Sequence, residues 1–303
     1  MTNQMGGKRM SLTNIAGISG ILVGKQTKTG VGKNGEYVSV ELVLRTDENS
    51  EHRVKMFSNK LTKDGNVSKL YESTMTVANE YKSADVVGLE NADRVHINQG
   101  EISVNRYISK AGELVEQTQI STKFCNRHES GEFNSRAEFS LVGVVDSVAQ
   151  KMNDEDEIEL LKIKLNVPRG YNKQIEQVEV VIREKSAFDY IMESFQKWEV
   201  VKVGGQIINK VETKQEKTEQ VGFGTMPELK TSTVRVRELL ATGGHVLEGM
   251  NEQQFYTQEE IQEGIKLLNQ KIVELKSKPS TTPQLGFGTQ SAPSRQLNSD
   301  IPF

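Results

Sequence analysis

Tyr37, Ser39, Glu41, Val43 and Arg45 occupy alternate positions, as do Arg53, Lys55 and Phe57, and alternate residues of an extended chain share one face. If the two runs pair as a hairpin, two aromatic rings and three cations fall together. Rings stack on nucleobases and cations spaced along a groove meet phosphates. That combination holds single-stranded nucleic acid at roughly 1–3 kcal/mol per stacked base, without reading its sequence. Lys25, Lys28, Lys33 and Lys110 flank this face on a neighbouring strand and turns. Arg106, Tyr107, Lys123 and Phe124 form a second rank of candidates.

Catalytic constellations do not emerge. Cys125 and His128 are three apart but lack the second pair that a zinc site needs. His52, His96 and His245 are scattered, and the glycines and lysines between Lys8 and Gly32 miss the spacing of a phosphate loop. The acidic run Asp154-Glu155-Asp156-Glu157 reads as a solvated hairpin tip. The expectation is a non-enzymatic protein that uses no cofactor or metal.

Strands must position the candidate face. Ile15, Ile18, Ile21 and Val23 begin one, interrupted by Gly17 and Gly20, and Lys28 to Gly35 reads as a flexible turn. Val38, Val40, Leu42, Leu44, Val54 and Met56 then alternate inward. A helix is expected between about Val67 and Ala84. After it, Val95 to Tyr107 reads as strand, glycine bend at Gly100, strand, and Gln117 to Phe124 as a closing strand. Three strands, a helix and two strands, with a glycine coiling one strand midway, is the order of a small five-stranded barrel. The order recurs from Phe139 to Leu240, with a helix near Ser186 to Phe195 and a second glycine bend at Gly204-Gly205.

The expected fold is therefore mainly β, with two tandem oligonucleotide/oligosaccharide-binding (OB) barrels, a C-terminal helix and a disordered tail. Its divisions are a flexible start at 1–12, barrels at 13–128 and 136–244, a helix at 257–277, a linker at 278–298 and a tip at 299–303. Thr257-Gln258-Glu259-Glu260 is a helix start signal, and Ile261, Ile265, Leu268, Ile272 and Leu275 recur at helical spacing. Ser, Thr, Pro and Gln dominate the linker, which cannot bury enough apolar surface to order itself.

At 303 residues the chain has room for two domains. Its net charge of −3 hides an asymmetry: residues 1–128 carry 17 Lys/Arg against 14 Asp/Glu, whereas residues 129–244 carry 16 against 20. Phosphate attraction is local, so the first barrel is the expected binder. In the second, Lys162, Lys164, Glu179 and Arg183 are mixed in sign and carry no ring, although Arg169, Tyr171, Lys173 and Phe223 in its loops would extend a path. One cysteine excludes an internal disulfide and, with no apolar run of membrane-spanning length, points to the cytoplasm and no membrane. The second barrel and the C-terminal helix are candidate faces for a homodimer.

The final residues, Asp300-Ile301-Pro302-Phe303 after a polar linker, resemble the tip of bacterial and phage single-stranded DNA-binding proteins. Val95 to Phe124, with Gly100, Asn105-Arg106-Tyr107 and Gly112-Glu113, resembles the last strands of that family's barrel. The resemblance implies sequence-independent binding and protection of single-stranded DNA in replication and recombination. It also implies recruitment of replication and recombination proteins through a tip that enters an apolar pocket with a basic rim. Family tips carry several acids before the apolar pair, where this chain has Asn298 and Ser299 and only Asp300 charged. The competing expectation is a replisome or recombination adaptor whose barrels bind proteins rather than DNA.

Overall fold

Branched aliphatic residues at alternate positions favour long paired strands, because one face of each is then buried and a one-residue slip would expose it. The computed structural model describes residues 14–109, 111–169, 174–217, 229–248 and 255–277. Lys110, Tyr171, Lys173, Phe223, the N-terminal segment, the linker and the tip lie outside them.

The first unit comprises β1 (Asn14–Gly32), β2 (Gly35–Asp47), β3 (Ser50–Asn59), helices α1 (Lys69–Glu80) and α2 (Ala84–Val87), β4 (Arg94–Ile108), β5 (Leu114–Thr122) and the short β6 (Asn126–Arg127). Its pairings close a ring: β1 with β2, β2 with β3, β3 in parallel with β5, β5 with β4, and β4 back to β1. The second unit comprises β7 (Arg136–Met152), β8 (Ile158–Arg169), β9 (Gln174–Ile182), α3 (Phe188–Ser194), β10 (Val200–Lys217) and β11 (Leu229–Val246). It closes a second ring in the same order, β7–β8–β9–β11–β10–β7, again with one parallel contact, β9 to β11.

The rings share local devices as well as order. A Cβ on Gly20 would lie 2.8 Å from the Arg45 carbonyl oxygen of the neighbouring strand, and one on Gly143 would lie 3.1 Å from that of Asn166. Both glycines let strands cross closely where the ring coils. Counting back from these matched glycines, Ala16 matches Phe139, and those two residues pair directly where β1 meets β7 antiparallel. The rings are thus related by a local two-fold axis through that contact.

Other joints are ionic and apolar. Arg106 on β4, its side chain 7% exposed, contacts Glu116 at 2.6 Å and Glu176 of β9 at 3.4 Å. Arg169 of β8 reaches Glu176 at 3.2 Å and also pairs with Glu101 of β4. Over this junction lies the helix α4 (Gln258–Ser277), with Ile261, Gly264 and Leu268 buried, while Val142, Val144, Ile175 and Phe255 cluster with Ile261 and the half-buried Trp198. The expected start signal forms a reciprocal cap: the Glu260 amide donates to Thr257 Oγ1 and the Thr257 amide to Glu260 Oε2. No described helix is long and apolar enough to cross a membrane.

One local expectation is corrected. The span Lys28 to Gly35 is no flexible turn, because β1 continues in register with β2 until Gly32 meets Gly35. The backbone pairing available on β2 outweighs the turn preference of the glycines, and the result is a long hairpin.

Candidate nucleic-acid interface

β2 and β3 deliver the alternation that their sequences imply. Val38, Val40, Leu42, Leu44, Val54 and Met56 are fully buried, which turns Tyr37, Arg45, Arg53, Lys55 and Phe57 to the opposite face. Registers across three strands align this face in rows. Lys28 pairs with Ser39 and Ser39 with Phe57; Gln26 pairs with Glu41 and Glu41 with Lys55; Gly30 pairs with Tyr37 and Tyr37 with Asn59.

The rings of Tyr37 and Phe57 meet with centroids 5.5 Å apart and an interplanar angle of 31°. Gly30 makes this possible. A Cβ there would lie 2.9 Å from the Tyr37 hydroxyl and 3.1 Å from its ring, so only a bare backbone lets the ring lie across β1. Phe57 remains 58% exposed. Around the pair opens a groove of about 610 Å³ lined by Lys28, Lys33, Asn34, Ser39, Lys55 and Asn59. Flat apolar surface rimmed by ammonium groups suits a nucleobase with its phosphate.

The charges divide into free and committed groups. Lys33 and Lys55 have no partner among the described residues. Arg53 is paired with Glu41 at 2.8 Å, and Arg45 with Glu51 at 2.8 Å, so each offers less net charge than its type implies. Lys123 and Phe124 leave β5 just after Thr122, which pairs with Met56, and so emerge beside the Phe57 end of β3; both are exposed.

Two candidates have other work. Lys25 turns away from the face, its ammonium donating to the carbonyls of Val77, Ala78 and Tyr81 at 3.3, 2.6 and 2.6 Å, where it caps the C-terminus of α1. Burial lowers its pKa against the pull of Asp93 and Asp85. Arg106 belongs to the ionic joint between the rings, as does Arg169, and is too buried to meet a strand in solution. Tyr107 is 40% exposed but lies at the far end of β4, away from the groove.

The second ring repeats the strands without the chemistry. Two of its outward cations are consumed in pairs, Lys162 with Glu179 and Arg183 with Glu238, both at 2.8 Å, while Lys164 stands exposed without an aromatic ring beside it on that face. Sequence reading overlooked Arg235 and Arg237 on β11. Their alternate spacing was visible, but nothing local placed them near the first ring. A crevice of about 70 Å³ lined by His52, Arg53, Gln117, Thr118, Asn209 and Arg237 now does so.

The histidines and the cysteine fit structural duties. His52 is buried beside Thr46, its Nε2 3.1 Å from the hydroxyl, and burial pushes its pKa down to about 4. Burial pushes the Cys125 thiol up to about 12. Ser19 Oγ lies 2.8 Å from His96 Nδ1, and His96 Nε2 3.0 Å from His128 Nδ1, a chain that ties the segment after β6 to β4. No cluster suited to a metal ion occurs among the described residues.

The described residues thus form two β-rings, the first of which carries a lysine-rimmed aromatic groove. Residues 13–278 match the YorF family, and the chain belongs to that family. No curated protein matches the sequence. Among solved structures, a deletion mutant of the single-stranded DNA binding protein from Thermus aquaticus superimposes with a TM-score of 0.48 at 15% identity, covering 78% of this chain and 96% of that one. The Plasmodium falciparum SSB complex with ssDNA gives 0.23 at 15% identity over 39% of this chain and 97% of its own. A replication protein A heterotrimer bound to ssDNA gives 0.24 at 11% identity, over 88% and 54%.

Proposed function

We propose that this chain binds single-stranded DNA on the outer face of its first ring, without reading sequence and without catalysis, each ring being an OB barrel. The observation that carries this reading is the exposed Phe57 packed on Tyr37 within a groove rimmed by Lys28, Lys33 and Lys55. Stacking holds the bases and the three ammonium groups hold phosphates, so affinity follows salt with a slope of about −2, at ~0.7 per phosphate on a single strand. In this reading the terminal Asp300-Ile301-Pro302-Phe303 recruits replication or recombination proteins. Ile301 and Phe303 enter an apolar pocket and the carboxylates meet its basic rim, an association weak per copy and strengthened when many copies coat one strand.

The test is a fluorescence-anisotropy titration of labelled oligothymidine across a salt series. Tight binding that weakens with salt and is reduced by Lys55→Glu supports the face. Salt-insensitive or absent binding by the unaltered chain overturns it and leaves the barrels as protein-binding modules. Deleting residues 299–303 should leave DNA affinity intact while abolishing capture of a replication partner.

A further inference from the structure

In the first ring, β3 and β5 pair only at Val54–Met56 with Ile120–Thr122, and ahead of that pairing a crevice lies between His52 and Arg53 on one side and Gln117 and Thr118 on the other. The gap is filled from the other ring. The β10–β11 hairpin enters it: Lys210 pairs with Ser50, the Val211 amide donates to the Asn49 carbonyl at 3.1 Å, and the Asn209 side-chain amide donates to the Glu51 carbonyl at 2.5 Å. Arg237 stands opposite Asn209 on the hairpin and Arg235 opposite Val211, so the two guanidinium groups share one face of β11. The crevice that Arg237 lines is also lined by Arg53, two residues along β3 from Lys55 and four from Phe57.

We propose that this hairpin is a second limb of the nucleic-acid interface, Arg235 and Arg237 receiving phosphates of the same single strand whose bases stack on Tyr37 and Phe57. The inference rests on the proposed function of the first ring and adds to it a contribution from the second that does not use the second ring's own outer face.

Charge supports the assignment. Arg53 is offset by Glu41, so without the hairpin the track of positive charge would end at Lys55. Arg235 and Arg237 are both exposed and have no ion-pair partner among the described residues. Burial first, and then the charges of Arg235 and Arg53, lower the pKa of Arg237, which puts the three cations within electrostatic reach of one another. A phosphate is the ligand that relieves such crowding, and the fork of donors on each guanidinium suits it. Tyr107 lies close enough to Arg237 to act on it electrostatically and offers a further exposed ring at that end of the track.

Oligomer length separates the limbs, since a single barrel occupies about 4–16 nucleotides. In the full chain, Arg235→Gln with Arg237→Gln should leave binding of an oligothymidine of about 4 nucleotides near that of the unaltered chain, because so short a strand is taken up by the Tyr37 and Phe57 stack and its lysine rim without reaching the hairpin. Binding of one of about 30 nucleotides should weaken by about 25-fold at 0.1 M salt, with the salt slope shallower by about 1.4, the share of two phosphate contacts, and should converge with the unaltered chain near 1 M. Arg235→Lys with Arg237→Lys should restore most of the slope. Equal affinities and slopes for the long oligomer would overturn the inference while leaving the groove intact, as would equal losses on both lengths, which would make the hairpin part of the groove. If the unaltered chain binds neither oligomer, the function proposed for the first ring fails instead.

Discussion

Truncation of Phe57 isolates the stacking contribution from the fold. The ring is 58% exposed and its only aromatic neighbour among the described residues is Tyr37, 5.5 Å away, so Phe57→Ala forfeits about 0.5–1.5 kcal/mol of ring pairing and little buried area. The loss of one stacked base costs about 1–3 kcal/mol, which is roughly a 5- to 150-fold weaker complex. Affinity should therefore fall while the melting curve moves by only a few degrees. Because stacking is indifferent to salt, the affinity of Phe57→Ala should drop by the same factor at every salt concentration, whereas Lys55→Glu should alter the slope. Phe57→Trp should retain binding and supply a signal, since the chain's one native tryptophan, Trp198, packs beside α4, away from the groove. Quenching of the new indole on titration with oligothymidine would report the stack directly. Unchanged affinity of Phe57→Ala, together with an indole at 57 blind to DNA, would refute the groove as the binding site.

Lys25→Met keeps the aliphatic stem but strips three carbonyls at the end of α1 of their donor, so chemical denaturation should register a loss of about 1–3 kcal/mol with DNA affinity unchanged; the reverse pattern would put Lys25 on the binding face. His52 is held neutral in the fold with a pKa of about 4, below its ordinary 6.5. Its contribution to stability is fully present above pH 6.5 and is lost as pH falls towards 4, by about 3 kcal/mol at about 1.4 per pH unit, and His52→Gln should flatten that part of the stability profile. Cys125, buried with its thiol raised to about 12, should resist alkylation at pH 8 until denaturant opens the first ring; rapid labelling of the native chain would contradict its packing.

Much of the candidate groove's strand geometry could be read directly because its determinants are local. The period-two alternation of Val38, Val40, Leu42 and Leu44 against Tyr37 to Arg45 needs only the pleat of a strand, and burial follows it. The cap on α4 likewise depends on residues three apart, Thr257 and Glu260. Two passages of matching strand order announced the repetition that the two rings of pairings display.

Only tertiary structure decided which cations are available and where the second ring's hairpin goes. Lys25 and Ala78 are 53 positions apart in sequence, and Arg106 and Glu176 are 70 apart. A lysine or arginine of either fate looks the same in its local window, because charge sets what it attracts but not which partner the chain brings within reach. Arg235 and Arg237 illustrate the converse. Their alternation was plain, but their proximity to Arg53 depends on β10 docking against Asn49, Ser50 and Glu51 in the gap that the first ring leaves between β3 and β5. Sequence patterning thus determined the strands and the character of their faces. The closure of two rings about a shared axis determined which faces meet, since strand pairing over such separations is selected by the packing of the whole molecule and not by any one segment.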